Sequence, residues 1–315
     1  MKKKLLITGG SGFLGVNLAL KLKKKYEVFL GSRNNKLNHE AKAVTGCEVL
    51  PLDVSSSNSV RDVMNKVQPQ VVIHAAATKF VDLSEKFPLE CIDVNVNGSA
   101  NIVRECLNFN VSKVIGISTD KASPPIKNTY GLSKSIMERL FVSSNTKKTK
   151  FSCVRYGNVA WSTKSVLPIW RDMFIKNKRI ISTGPEMRRF FFTISDAVAL
   201  VEYSLKNINK FQGKILSREM KAAKVRQLLE SWIEIYGGIY EISSERPGER
   251  IDEFLIGQEE LKYSESFTDN GIRYFLIDFH NKSKKPLKQI VSSMNAKNLN
   301  KNEIKNLIKI GFENY

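Results

Sequence analysis

The first half of the chain alternates short apolar runs with amphipathic stretches, and this alternation restricts the fold more than any other feature. Strands that alternate with helices form a parallel sheet covered by helices on both faces. Since Val71-Val72-Ile73 is apolar at every position, we expect such strands to be buried on both sides. The predicted strands are Leu5–Thr8, Glu27–Leu30, Val49–Leu52, Val71–His74, Lys113–Ser118 and Phe151–Arg155. The predicted helices are Leu14–Lys24, Ser59–Val67, Pro88–Phe109 and one that begins near Tyr130.

The alternation stops near Tyr156, and the rest of the chain is broken into shorter elements. We expect a helix capped by Ser195, with Asp196 in its first turn, and another around Ala222–Tyr236. From Lys282 the Lys/Asn-rich tail predicts a solvated helix and a linker. The interruptions are Pro168, the turn Thr183-Gly184-Pro185 and the turn Arg246-Pro247-Gly248.

These patterns predict an α/β protein with a Rossmann-type doubly wound parallel sheet over residues 1–157. A smaller α/β substrate-binding cap should follow over residues 158–315, and part of that segment could return to the first domain. A length of 315 residues, 42% hydrophobic and 26% charged, suits one or two globular domains.

Several classes of protein do not fit the composition. The apolar run after the basic start ends at Thr8, and no run of about 18 apolar residues occurs, so we expect a cytoplasmic protein without a membrane span. The four cysteines lie far apart and do not join the histidines at zinc-site spacing, so we expect buried thiols and no metal.

The formal charge of +19 could indicate nucleic acid, an anionic membrane surface or an anionic small substrate. The excess is spread along the chain, which suits a compositional bias as well as a binding stripe. Because the sequence has no helix-turn-helix, zinc-finger or aromatic-basic platform, we expect no nucleic-acid partner.

A glycine-rich turn follows the first predicted strand directly and precedes an amphipathic helix. In that context Gly9 turns the chain, Gly12 lets backbone N–H groups approach a pyrophosphate, and Gly15 packs helix against strand. The anion would then lie at the positive end of the helix. We therefore expect Gly9, Ser11, Gly12, Phe13 and Gly15 to bind a dinucleotide.

The end of the second predicted strand carries no acid that could hold the ribose hydroxyls of NAD. It carries Ser32 and Arg33, which favour NADP, although Arg33 could be an ordinary surface charge. Asp53 could reach the adenine or could cap the turn before Ser55, and Asn95 could be a cofactor contact or a buried link between helix and sheet. The further expected cofactor contacts are Val54, Ala75, Ala76, Tyr130 and Lys134.

Tyr130 and Lys134 lie four residues apart and share one helical face. A phenol with a pKa of ~10 is a poor base at neutral pH, and a nearby lysine and a nicotinamide ring would both favour the phenolate. The preceding strand ends in Thr119, whose hydroxyl could orient a substrate oxygen. Asp120 and Lys121 would add two proton-transfer groups, or would form an ion pair without a catalytic role.

At these motifs the sequence resembles the soluble UDP-N-acetylglucosamine 4,6-dehydratases of bacterial polysaccharide and flagellin-sugar biosynthesis, which are extended short-chain dehydrogenases. The resemblance runs from about Lys4 to Ile256, and the C5-inverting enzymes look most similar. The motifs that carry it are His74-Ala-Ala-Ala77, Pro88-Leu-Glu-Cys91, Ser118-Thr-Asp-Lys-Ala122, Tyr130-x-x-x-Lys134, Val154-Arg-Tyr-Gly-Asn-Val159, Met187-x-Arg-Phe190 and Arg246-Pro-Gly-Glu249.

The resemblance implies an internal redox cycle. NADP⁺ takes hydride from C4 while Tyr130, assisted by Thr119 and Lys134, removes the hydroxyl proton. Lys121 then removes the C5 proton, Asp120 protonates the departing 6-hydroxyl, and hydride returns to C6 with inversion at C5. The resemblance also implies a homo-oligomer that binds a UDP-sugar. The implied substrate contacts are Lys79, Asn158, Arg189, Arg246 and Glu249.

The chain departs from the family pattern in three places. The loop from Ala122 to Thr129 is one residue longer, Trp161-Ser-Thr-Lys-Ser165 stands where relatives carry Gly-Ser-Arg-Gly-Ser, and the segment from Ile180 to Met187 is divergent. Lys164 could replace the arginine. Two other functions remain open at this stage: a nucleotide-sugar 4-epimerase or 4-keto reductase, and a non-catalytic NADP-binding regulator.

Overall fold

A nine-stranded sheet forms the centre of the computed structural model, which describes residues 1–244 and 248–314. The strands are β1 Lys3–Thr8, β2 Tyr26–Ser32, β3 Glu48–Pro51, β4 Val71–His74, β5 Lys113–Thr119, β6 Lys150–Tyr156, β7 Asn158–Val159, β8 Arg179–Thr183, β9 Arg188–Phe192, β10 Ile215–Arg218, β11 Lys221–Lys224, β12 Ile239–Ser243, β13 Phe254–Ile256, β14 Ser264–Asp269, β15 Ile272–Ile277 and β16 Val291–Ser292. The helices are α1 Phe13–Leu22, α2 Asn35–Thr45, α3 Ser57–Val67, α4 Val81–Lys86, α5 Pro88–Ile92, α6 Gly98–Asn108, α7 Thr129–Ser143, α8 Val166–Asn177, α9 Ile194–Lys206, α10 Ile208–Phe211, α11 Val225–Tyr236 and α12 Lys301–Asn314.

The strand order of the central sheet is β14-β15-β10-β6-β5-β4-β1-β2-β3. All neighbours from β3 to β10 pair in parallel, whereas β15 pairs antiparallel with both β10 and β14. Every residue of β4 is buried, as its apolar sequence requires of a strand covered on both faces. The predicted α/β fold with a Rossmann-type sheet is confirmed. Strands β10, β14 and β15 show that parts of the second half of the chain join this sheet.

The second half also builds a smaller unit around a tryptophan-rich core. Three small sheets (β11-β9-β7, β12-β8 and β13-β16) accompany α8, α11 and α12. Trp170 and Trp232 are almost fully buried there and meet edge to face, with ring centroids 6.2 Å apart. Among the described residues, no helix has both the length and the apolar composition to cross a bilayer.

Two predicted helix starts were wrong. Thr193, rather than Ser195, caps α9, because its hydroxyl accepts a hydrogen bond from the Asp196 N–H (3.1 Å) and Asp196 accepts one from the Thr193 N–H (3.3 Å). The helix predicted from Ala222 begins at Val225, because Ala222 pairs with Phe190 in a β-ladder.

The Lys/Asn-rich tail was predicted to be a solvated helix and linker, and this was wrong for its last part. Helix α12 buries Ile304 and Ile308 against the tryptophan-rich core. The apolar residues recur at helical spacing within the polar tail, so one face of the helix is covered while the other carries the lysines. All four cysteines are buried free thiols, as expected.

Candidate active site

The carboxyl ends of four adjacent parallel strands meet at one edge of the sheet. Thr8 at the end of β1 pairs with His74 at the end of β4, and Thr119 at the end of β5 pairs with Tyr156 at the end of β6. The segments that follow these strands therefore lie side by side. In an open α/β sheet this edge is where ligands bind.

The glycine-rich turn after β1 is packed too tightly for side chains. A Cβ on Gly9 would lie 2.7 Å from the backbone N of Ala76, and one on Gly15 would lie 2.6 Å from Cα of Gly10. Gly12 caps α1 without a side chain, so the helix end stays open to an anion. The buried Ser11 hydroxyl has no hydrogen-bond partner among the described residues. These features fit a phosphate group.

Ser32 and Arg33, which were predicted to favour NADP, lie at and just after the end of β2. The Arg33 side chain is half exposed, with Nη1 4.0 Å from Asp53 Oδ1. Asp53 accepts hydrogen bonds from the N–H (3.0 Å) and hydroxyl (2.7 Å) of Ser55. These bonds are those expected if Asp53 caps the turn before Ser55. Val54 is buried against Gly98 at the start of α6.

Asn95 is buried and links α7 to the loop after β4, whereas the structural alternative from the sequence was a link between helix and sheet. It lies in a π-helical turn, Asp93–Asn97, that joins α5 to α6. Its side chain accepts from the Thr78 N–H (2.8 Å) and donates to the Ser133 hydroxyl (2.9 Å). This residue therefore fixes the loop after β4 against α7.

Helix α7 presents Tyr130 and Lys134 to the sheet edge, and both side chains are buried. Asn128 caps the helix by accepting a hydrogen bond from the Gly131 N–H (2.8 Å). A Cβ on Gly131 would collide with the carbonyl oxygen of Lys121. The glycine thus allows the start of α7 to pack directly on the turn that follows β5.

Burial raises the pKa of Tyr130 to about 12, and the Lys121 ammonium and a hydrogen bond with Thr119 offset this only in part. Burial lowers the pKa of Lys134 to about 8. Lys134 was expected to favour the Tyr130 phenolate, yet Lys121 is the neighbouring cation that lowers its pKa most. Tyr130 is therefore a neutral phenol at neutral pH in this structure.

A 3₁₀ turn, Asp120–Ala122, follows β5 and holds an acid and an amine together. Asp120 Oδ1 accepts hydrogen bonds from the Thr119 hydroxyl (2.9 Å) and from Lys121 Nζ (3.1 Å). The carboxylate is fully buried, and its Oδ2 has no hydrogen-bond partner among the described residues. Gly157 leaves room there, since a Cβ on it would lie 2.9 Å from Oδ2.

A second carboxylate, which the sequence reasoning missed, lies on the same amine. Glu253 Oε1 is 3.3 Å from Lys121 Nζ and 3.9 Å from Arg189 Nε. Burial alone would lower the pKa of Lys121, but Asp120 and Glu253 outweigh it and raise the pKa above its ordinary value. Lys121 is thus an ammonium in the resting protein.

Beside this cluster lies a cavity of about 250 Å³. Lys79 projects into it next to Lys164, and the two Nζ atoms lie 5.8 and 5.4 Å from the centre of the Phe80 ring. Burial and the charge of Lys164 lower the pKa of Lys79 to about 8, although the residue is open to the cleft. The predicted site residues that line the cavity are Lys79, Lys121, Asn158, Arg189 and Glu249, while Arg246 lies outside the described residues.

The divergent Trp161–Ser165 loop delivers Lys164 to this cavity. Trp161 and Lys164 both have left-handed backbone conformations, with φ of 62° and 58°. The Trp161 indole donates a hydrogen bond to the Leu307 carbonyl oxygen (2.7 Å), and its ring covers Gly311 of α12. The C-terminal helix therefore holds the loop in this strained shape.

The comparisons with known proteins agree with this geometry. The sequence pattern of the family described as "Polysaccharide biosynthesis protein" matches residues 5–273. A "UDP-glucose 4-epimerase" of Rickettsia rickettsii is 32% identical over 97% of this chain and 95% of its own length. An uncharacterised membrane protein of Methanocaldococcus jannaschii is 34% identical over 98% of this chain and 95% of its own length. The crystal structure of Pen from Bacillus thuringiensis superposes with a TM-score of 0.89 at 27% identity, covering 98% of each chain.

Proposed function

The chain belongs to the polysaccharide biosynthesis protein family, and we propose that it is an NADP-dependent nucleotide-sugar 4,6-dehydratase. The observation that carries this proposal is the Asp120–Lys121 pair: a buried acid hydrogen-bonded to an amine that lines the cavity, beside Tyr130. Oxidation and reduction at C4 alone need one proton-transfer group. Elimination of water needs a base at C5 and an acid at O6 as well.

The dinucleotide would lie along the sheet edge. Its pyrophosphate fits the open end of α1, where the Ser11 hydroxyl lacks a partner, and a 2′-phosphate would face Arg33. When bound, the nicotinamide supplies a reversible hydride acceptor. We propose NADP rather than NAD because no acidic residue occupies the end of β2.

Tyr130 would hold the proton that leaves the 4-hydroxyl. Its phenol is neutral in the structure, so the positive nicotinamide, Lys134 and the Thr119 hydroxyl would have to favour the phenolate together. Loss of this proton, together with departure of hydride from C4, converts the sugar into a 4-keto sugar. The ketone acidifies the neighbouring C5 hydrogen.

Lys121 and Asp120 would then eliminate water. One proton first moves from Lys121 Nζ to Asp120 Oδ1 along their hydrogen bond, which leaves a neutral amine and a neutral acid. Lys121 Nζ then takes the C5 proton, the C–H electron pair passes to the ketone as an enolate, and the C6–O bond breaks as Asp120 protonates O6. Hydride returned to C6 and a proton returned to C5 complete a 4-keto-6-deoxy sugar. We propose inversion at C5 from the resemblance to the C5-inverting enzymes.

The diphosphate of a UDP-sugar fits the cationic part of the cavity wall, which also carries Asp82, Glu249 and Glu253. Lys79, Lys164 and Arg189 bring three cationic groups to its wall, and ammonium and guanidinium groups bind diphosphate oxygens. Asn158, whose Oδ1 lies 3.5 Å from Lys121 Nζ, would place the sugar between the diphosphate and the amine. We propose UDP-N-acetylglucosamine as the substrate, again from the resemblance.

A second candidate is a nucleotide-sugar 4-epimerase. The name of the Rickettsia rickettsii relative favours it, and so does the Tyr130/Lys134 pair, which suffices for oxidation and re-reduction at C4. In that reaction Asp120 and Lys121 would have no bond-breaking role.

Mass spectrometry of the product separates the two reactions. The protein is incubated with UDP-N-acetylglucosamine and NADP⁺, alongside Lys121→Gln and the control Lys127→Gln, an exposed lysine of the same loop. The proposal predicts loss of one water with wild type and control, and none with Lys121→Gln. A product of unchanged mass that chromatography separates from the substrate, formed by wild type and Lys121→Gln alike, would identify the epimerase.

A further inference from the structure

Hydrogen bonds from the Glu253 backbone fix the position of this residue beside the active site. Its backbone N–H donates to the Ser293 hydroxyl (3.0 Å), and its carbonyl oxygen accepts from the Ser293 N–H (2.8 Å). These bonds continue the pairing of β13 with β16. The carboxylate is therefore delivered by a rigid segment, and its exposed fraction is only 3%.

The surroundings of this carboxylate are incomplete. Oε1 contacts Lys121 Nζ at 3.3 Å, but Oε2 is buried without a hydrogen-bond partner among the described residues. Asp120 Oδ2, on the other carboxylate that contacts the amine, also lacks a hydrogen-bond partner among the described residues. A buried acceptor without a partner is energetically costly, because it has given up water without gaining a hydrogen bond. Both oxygens belong to carboxylates that contact the Lys121 ammonium at the cavity wall. We interpret their free acceptor positions as a sign that these carboxylates take part in the reaction.

The chemistry of the proposed dehydration, on which this inference rests, gives Glu253 a task. The elimination needs Asp120 protonated and Lys121 neutral, and one proton moved from Nζ to Oδ1 along their hydrogen bond produces both. When Lys121 then takes the C5 proton, Asp120 is still a neutral acid. Glu253 is the remaining carboxylate in contact with the new ammonium.

We propose that Glu253 is a positioning residue that pairs with the Lys121 ammonium as it forms, and so makes Lys121 a sufficiently strong base for C5. The proton stays on Lys121, so no bond to Glu253 forms or breaks. Once the amine is neutral, the rate at which it removes a proton rises with its strength as a base. Oxidation at C4, which uses Tyr130, does not depend on this contact.

The charges that face Lys121 determine the direction of a pH effect. Asp120 and Glu253 raise the pKa of Lys121, Arg189 lowers it, and Tyr130 is neutral in the structure. When the negative charge of Glu253 is removed, the positive charge of Arg189 has a larger net effect on Lys121. The pKa of Lys121 therefore falls. The pH at which C5 exchange reaches half of its maximum should therefore move down.

The test compares Glu253→Gln with wild type and with the control Glu259→Gln, the same change at an exposed residue of a nearby turn. Each protein receives UDP-N-acetylglucosamine in D₂O, and three rates are followed: cofactor reduction in a single turnover, deuterium uptake at C5, and water loss. We expect Glu253→Gln to reduce the cofactor within about threefold of wild type, while the maximum rates of C5 exchange and water loss, at the high-pH plateau of each profile, fall at least about tenfold. Its exchange profile should also shift to lower pH.

The outcomes separate this inference from the proposed function. If wild type loses water and Glu253→Gln exchanges the C5 hydrogen as fast as wild type, the role of Glu253 is overturned while the dehydratase proposal stands. Absence of both water loss and C5 exchange in wild type overturns the dehydratase and this inference with it. If Glu253→Gln does not fold, Glu253→Asp keeps the charge but withdraws it from Nζ. We expect Glu253→Asp to slow C5 exchange more than cofactor reduction. Equal slowing of the two rates would contradict the proposal.

Discussion

Asp120 Oδ1 and Lys121 Nζ share a hydrogen bond of 3.1 Å, although the two residues are adjacent in sequence and one of them is fully buried. The 3₁₀ turn after β5 makes this contact possible, because it turns both side chains to the same side of the sheet edge. An acid and a base are thereby joined at one position of the cavity wall.

Replacing Asp120 by asparagine should separate oxidation from elimination. Asn keeps a hydrogen-bond acceptor for Lys121 but cannot protonate a departing hydroxyl. We expect water loss to fall by roughly 10²–10⁴-fold, while reduction of the cofactor in a single turnover persists. Stopped-flow absorbance and product mass measure the two events. The exposed Asp172→Asn is the control, and water loss at the wild-type rate in Asp120→Asn would contradict the assignment.

Cofactor choice should depend on Arg33. A guanidinium at the end of β2 would pair with the 2′-phosphate of NADP and would have no such partner in NAD. We expect Arg33→Ala to raise the Kd for NADP by at least about tenfold and to leave that for NAD nearly unchanged, since a charged hydrogen bond contributes about 1.5–3 kcal/mol. Titration calorimetry with both dinucleotides measures this. Equal weakening of the two would contradict an NADP site.

The contact between Gly311 and Trp161 should link the C-terminal helix to substrate binding. Replacing a mid-helix glycine by alanine ordinarily stabilises a protein by about 0.5–1 kcal/mol. Here the new Cβ would collide with the indole, so we expect Gly311→Ala to lose about 1–3 kcal/mol and to raise KM by displacing Lys164. Asn306→Ala, on the exposed face of α12, is the control. A stabilised Gly311→Ala protein with unchanged KM would show that the contact is unimportant.

His74 should make the fold sensitive to mild acid. It is fully buried between the hydroxyls of Thr8 (2.7 Å) and Ser99 (3.1 Å). Burial first, and the charge of Lys134 second, lower its pKa to about 3. The unfolded chain binds a proton below a pKa of about 6.5 and the folded chain does not, so stability is lost as pH falls from about 6.5 toward 3.

Chemical denaturation at two pH values measures this effect. Between pH 7 and 5 we expect His74 to reduce the free energy of unfolding by about 2 kcal/mol. That part of the loss should be absent in His74→Gln, whose side chain can still bond to Thr8. An equal pH dependence of the two proteins would contradict the assignment of a neutral buried imidazole.

The features that the sequence predicted well are local. Apolar runs such as Val71–His74 identified the parallel strands, and the glycine turn followed its strand directly. Helix α2 was missed because two of the side chains it buries, Asn38 and Thr45, are polar, so the segment lacks an apolar stripe. Glu253 was missed because its contact with Lys121 depends on a segment that returns from far along the chain.

The mass of the product formed from UDP-N-acetylglucosamine in D₂O tests the dehydratase most directly. Elimination by Asp120 and Lys121 requires the C5 hydrogen to be exchanged with solvent, whereas the hydride that reaches C6 comes from C4. The expected product has lost one water and carries one deuterium, which proton NMR should locate at C5. A product of unchanged mass with no deuterium would contradict the proposed reaction.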